Sequence, residues 1–75
     1  MEETTGRILQ SGTHIARYLA LLEPDGSFEA QVYVRLAREP LIAETYIPVG
    51  IYGTEAAAWE AAAERAQRAL DNHEF

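Results

Sequence analysis

Residues 23–36 read EPDGSFEAQVYVRL, and their reading decides the fold. Pro24 presets φ for the first turn position and Asp25 suits the second. Gly26 accepts the left-handed conformation that closes a three-residue hairpin loop. Beyond the turn the chain alternates: Phe28, Ala30, Val32, Val34 and Leu36 share one face, and Glu29, Gln31, Tyr33 and Arg35 share the other. Alternation with a period of two marks an antiparallel strand whose apolar face enters a core.

Upstream, residues 14–22 read HIARYLALL, a run of β-branched, aromatic and aliphatic residues bounded by turn residues, and so a strand. If Glu23 pairs with Ser27, then Ala16, Tyr18, Ala20 and Leu22 join the core face, while Ile15, Arg17, Leu19 and Leu21 point away. A slip of one residue exchanges the two sets. In either register this strand carries large side chains on both faces. Residues 1–12 hold only Ile8 and Leu9 as strong apolar residues. They are expected to form a flexible N-terminal segment, in which Arg7 to Gln10 can add a short strand or clasp.

Downstream, the sequence predicts a turn over residues 37–40 and a third strand over Leu41 to Ile47. Pro48 cannot donate to a ladder and marks a strand end or a sheet edge, with Val49 to Tyr52 resuming the extended run. Thr54 is a good helix N-cap, Glu55 suits the positive end of the helix dipole, and the alanine-rich stretch that follows has high helix propensity. At 100° per residue Trp59, Ala62, Ala63, Ala66 and Leu70 form one stripe, opposite Glu60, Glu64, Gln67, Arg68 and Asp71. Trp59 is expected to anchor the core. The expected fold is therefore α+β: one domain over residues 13–71, a three-stranded antiparallel sheet with one C-terminal helix across one face, and a flexible tail over residues 72–75.

Composition narrows the function. The chain has 75 residues, 48% of them hydrophobic, with twelve acidic residues against six basic ones. All six basic residues are arginine, and cysteine is absent, which excludes disulfides, thiolate metal sites and cysteine nucleophiles. No apolar run reaches the roughly 18 residues of a membrane helix, and the acidic N-terminus lacks the features of a signal peptide. A cytoplasmic protein without a membrane partner is expected. A core this small supplies only about 3–5 kcal/mol, so association with another chain is a natural stabiliser.

Residues 50–59 read GIYGTEAAAW, and Gly50, Tyr52, Thr54 and Ala58 fit a G-x-[FY]-x-T-x-x-x-A pattern. This segment resembles AP2/ERF-type and integrase arm-binding domains, and the element order resembles that of several small bacterial proteins of unknown function. The resemblance implies a structural role for each of the four positions: the glycine and the aromatic close the last strand, the threonine caps the helix, and the alanine lets it lie on the sheet. In that family the uncovered sheet face reads the DNA major groove with basic and aromatic side chains. Here that face would hold Glu29 and Gln31 beside Tyr33 and Arg35, on a chain of net charge −6, so nucleic acid is disfavoured.

No set of residues assembles a nucleophile, a base and an orienting group, so no enzymatic activity is expected. His14 and His73 are far apart in sequence. Asp71, His73 and Glu74 cluster only in the tail, so neither a metal nor a cofactor is expected. Glu44 reads as an outward edge residue rather than a functional acid. The four tyrosines either form an outward interface patch or pack across strands. The expected function is a non-enzymatic interaction or regulatory module that binds a protein partner, or itself as a homodimer, through Ile15, Arg17, Leu19, Leu21, Tyr33 and Arg35. A nucleic-acid-binding domain of AP2 type is the alternative.

Overall fold

A computed structural model describes residues 6–38 and 44–72. The elements run β1 (Arg7–Ser11), β2 (His14–Leu22), β3 (Phe28–Leu36), β4 (Thr45–Tyr52) and α1 (Glu55–Asn72). The sheet is antiparallel throughout, in the spatial order β1-β2-β3-β4. It has four strands, not the three expected, because Arg7–Ser11 pairs along β2 from Arg7 opposite Tyr18 to Ser11 opposite His14. Placing residues 1–12 outside the domain is thus corrected for this strand. The signal for it was local: Gly12 (φ 60°) takes the first position of a two-residue hairpin loop before Thr13.

The β2–β3 hairpin has the preferred register. The Glu23 amide donates to the Ser27 carbonyl at 2.8 Å, and the Gly26 amide donates to the Glu23 carbonyl at 3.0 Å. Asp25 Oδ1 accepts from the Ser27 amide and hydroxyl at 2.9 and 2.6 Å, and these two bonds hold its carboxyl below the usual value. Ala16, Tyr18, Ala20 and Leu22 therefore lie opposite Val34, Val32, Ala30 and Phe28.

The last strand, Thr45–Tyr52, continues past Pro48 with a bulge rather than ending there. Leu41–Ala43 lie outside the described residues. Ala30 opposes Gly50 while Gln31 opposes Pro48, so Val49 is the extra residue of a bulge. A proline is tolerated here because β4 is an edge strand.

Thr54 caps α1: its hydroxyl accepts from the Ala57 amide at 3.1 Å and its carbonyl from the Ala58 amide at 3.2 Å. The helix crosses mainly β2 and β3. Its buried stripe is Ala58, Ala62, Ala66, Ala69 and Leu70, rotated from the expected one. Trp59 is only half-buried, at the helix edge. Its indole meets Tyr18 edge to face at 6.0 Å, carries the Arg7 guanidinium 4.5 Å above its ring, and donates from Nε1 to Glu55 at 3.4 Å. The small helix face allows close contact with an equally small sheet face, Ala16, Ala30, Val32 and Val34, all without solvent exposure. The result is a flat two-layer body of 37 × 32 × 15 Å.

Candidate functional site

Register fixes which side chains share the sheet face away from α1. Across the strands, Ile8 stands opposite Arg17, Arg17 opposite Tyr33, and Tyr33 opposite Tyr46. A second row joins Gln10, Ile15 and Arg35, and a third joins Leu21, Glu29 and Ile51. Among the described residues, no element covers this outer face. Ile8, Leu21, Tyr46 and Ile51 expose 59, 38, 42 and 61% of their surface.

The middle of the face is a connected network. Arg17 grips Glu44 with two hydrogen bonds, Nε to Oε2 at 3.1 Å and Nη2 to Oε1 at 2.8 Å. The guanidinium also lies 4.4 Å above the Tyr33 ring. The hydrogen bond to Glu44, above all, raises the Arg17 pKa beyond its ordinary value. Tyr33 packs on Tyr46 with ring centres 5.2 Å apart. The Tyr33 hydroxyl donates to Gln31 at 2.9 Å, the Gln31 amide to Glu29 at 3.2 Å, and the Tyr46 hydroxyl back to Glu29 at 3.2 Å. The loop of contacts is closed. Partial burial and Glu29 together raise the Tyr46 phenol above its ordinary value. Desolvation, with Glu29 next to it, likewise raises the Glu23 carboxyl.

Of the sequence-predicted surface residues, Ile15, Arg17, Leu21, Tyr33 and Arg35 all lie on this face, half-buried or exposed. Leu19 also points to it, but only 5% of its surface is exposed. It is spent within the fold and is not a contact surface. The predicted surface omits Ile8 and Ile51, which reach this face only through the pairing of β1 and β4 with their neighbours. Tyr46 joins Tyr33 as an outward tyrosine, so both arrangements that the sequence leaves open for the tyrosines, an outward patch and cross-strand packing, meet in this pair. Glu44 is outward as expected, but it is engaged by Arg17 from 27 residues away, a partner no local pattern reveals.

Elsewhere, a groove of about 310 Å³ between β4 and α1 is edged by Tyr52, Glu64, Arg65 and Arg68. Among the described residues no three potential metal ligands gather, and no helix is long and apolar enough to cross a membrane. His73 and Glu74 lie outside the described residues.

Comparison with protein-family models, curated proteins and solved structures finds no match. The resemblance carried by residues 50–59 rests on those positions alone. Thr54 serves there as the helix cap, and Ala58 as a fully buried helix contact.

Proposed function

We propose that this chain is a non-enzymatic interaction module and that the outer sheet face binds protein. The observation that carries the reading is the closed Tyr33–Gln31–Glu29–Tyr46 network, flanked by exposed Ile8, Leu21 and Ile51. Tyrosines and aliphatic side chains with a few placed charges are what protein interfaces use. Side chains already held by one another lose little further freedom on binding. Nucleic acid is the poorer partner. Arg17, the central cation of the face, is already paired with Glu44, and Glu29 would confront phosphates on a chain of net charge −6.

The test is a photo-crosslinking residue placed at Ile8 or Ile51, with Glu60 on the solvent side of α1 as control. Protein adducts from the two face positions and not from Glu60 are expected. The purified adduct partner should then shift the amide signals of Arg17, Tyr33 and Tyr46 rather than those of α1. Adducts from Glu60 alone, or adducts to nucleic acid, would overturn the reading.

A further inference from the structure

We infer that the occupant of the outer face is a second copy of this chain, related by a two-fold axis that lies in the interface and runs across the strands, so that Arg35 of each protomer meets the partner's Glu29. This rests on the outer face being the working surface.

Area comes first. The strands hold five, nine, nine and eight residues. At ~3.3 Å per residue and ~4.8 Å between strands the face projects roughly 500 Å². Side-chain relief adds accessible area to that projection, which brings the face near the ~800 Å² per partner of a standard stable interface. A sheet stacked on a sheet is also an established way to bury a half-apolar face.

Charge comes second. Among the described residues the face carries Arg17 and Arg35 against Glu29 and Glu44. It is balanced, although the chain is strongly acidic. Two copies meet here without net repulsion, and nothing on the face calls for a partner of opposite sign. The balance is also polarised along β3. Glu29 stands at the hairpin end, with Glu23 close by, and Arg35 stands six residues away at the other end, with Arg38 just beyond. Arg35 Nη1 is held by hydrogen bonds to the carbonyls of Leu36 and Ala37.

This polarity chooses between the two ways of closing such a face on itself. An axis along the strands lays β2 on β3 with like ends together. It sets Leu21 over the partner's Glu29 and Ile15 over the partner's Arg35, and it brings the two acidic ends side by side. An axis across the strands reverses them. It sets Ile15 over the partner's Leu21 and Arg35 over the partner's Glu29, each contact occurring twice, as a two-fold interface requires. Apolar then meets apolar and cation meets anion.

Light scattering on the full chain at rising concentration, with circular dichroism to confirm folding, is the experiment. The parent is expected at twice the 8.3 kDa chain mass. R35E and E29R should each weaken the dimer by about ten-fold or more, and the double swap should restore most of the loss. Because the chain has no cysteine, I15C/L21C offers a second readout. The two positions are too far apart along β2 to bridge within one chain, so oxidation should yield a covalent dimer. A parent that stays monomeric at every concentration overturns the inference, while face-specific adducts to a different protein would leave the interaction module itself standing. A dimer that neither charge reversal weakens, or that I15C/L21C does not trap, overturns the arrangement.

Discussion

Arg17 on β2 and Glu44, the residue just before β4, form a two-bond fork across the outer face, with N–O distances of 3.1 and 2.8 Å. The side chains expose 22% and 11% of their surface. The pair therefore stands between an exposed ion pair, worth under about 1 kcal/mol, and a buried one, where removing one partner costs about 3–5 kcal/mol. Glu44→Ala and Arg17→Ala should each cost about 1–2 kcal/mol in urea unfolding. Arg17→Lys should not rescue the loss, because an ammonium cannot form the fork or cover the Tyr33 ring. A double-mutant cycle with no coupling would show that the fork contributes nothing.

Tyr46 offers a titration. Burial, and after it the bond to Glu29, raises its phenol above the ordinary 10.0. A raised folded value means that the fold holds the neutral form. Its contribution is intact below pH 10.0 and is lost as the pH rises through the folded value. Carbon-13 labelling of the tyrosine ζ position should show Tyr46 titrating above the ordinary value. Glu29→Gln should lower that value part of the way and not to the ordinary one, since burial is the larger cause. A Tyr46 that titrates normally in the parent would mean that the network is open in solution.

Gly6 enters β1 with φ of 106°, and a Cβ there would stand 2.7 Å from the Tyr18 carbonyl oxygen and 3.2 Å from Leu19 Cβ. Both the backbone conformation and the close approach demand glycine. Gly6→Ala should cost about 1–3 kcal/mol and should act first on β1, seen as faster amide exchange at Arg7 and Leu9, which pair with Tyr18 and Ala16, than in β3. Unchanged exchange there would mean that β1 is held without Gly6.

What the sequence disclosed and what it hid have physical causes. The turn over residues 23–27 and the alternation after it specify β2 against β3, because a one-residue slip would turn every core side chain outward. Thr54 announced the helix because only a few residue types cap well. β1 is obscured in the sequence by Arg7, a charged residue on the helix side of the sheet, which stays exposed and lies over the Trp59 ring. Periodicity at 100° per residue puts Trp59 in the apolar stripe of the helix. The sheet face beneath is so shallow that alanines take the centre and the indole moves to the rim. Of the candidate surface, the hairpin half was legible. The contributions of β1 and β4, and the Arg17–Glu44 fork, depend on pairing between distant segments.

The rotated stripe reorders the helix substitutions. Leu70 is 3% exposed while Trp59 is half-buried. Leu70→Ala should cost about 2–5 kcal/mol, a large share of the stability of so small a domain. Trp59→Ala should cost less than Leu70→Ala, in spite of the larger side chain. The reverse order in thermal or urea unfolding would return the indole to the centre of the core.

Ala62 tests the close approach that this core depends on. It has no exposed surface, and neither do Ala58 and Ala66 one turn to either side, nor Val32 and Val34 on the sheet. Where both faces are this small, contact distance replaces side-chain bulk as the source of packing, and dispersion falls off steeply with any added gap. Ala62→Leu adds three carbons where there is no room for them. The helix must lift, and lifting it opens the contacts of Ala58, Ala66 and Leu70 together. Overpacking usually costs about 1–3 kcal/mol, and a rigid stripe of this kind should reach the upper end. Ala56→Leu, on the exposed side of the same helix, should fall within about 0.5 kcal/mol of the parent. Equal stability of the two variants would mean that the helix floats above the sheet with space to spare, and that the alanines serve helix propensity rather than packing.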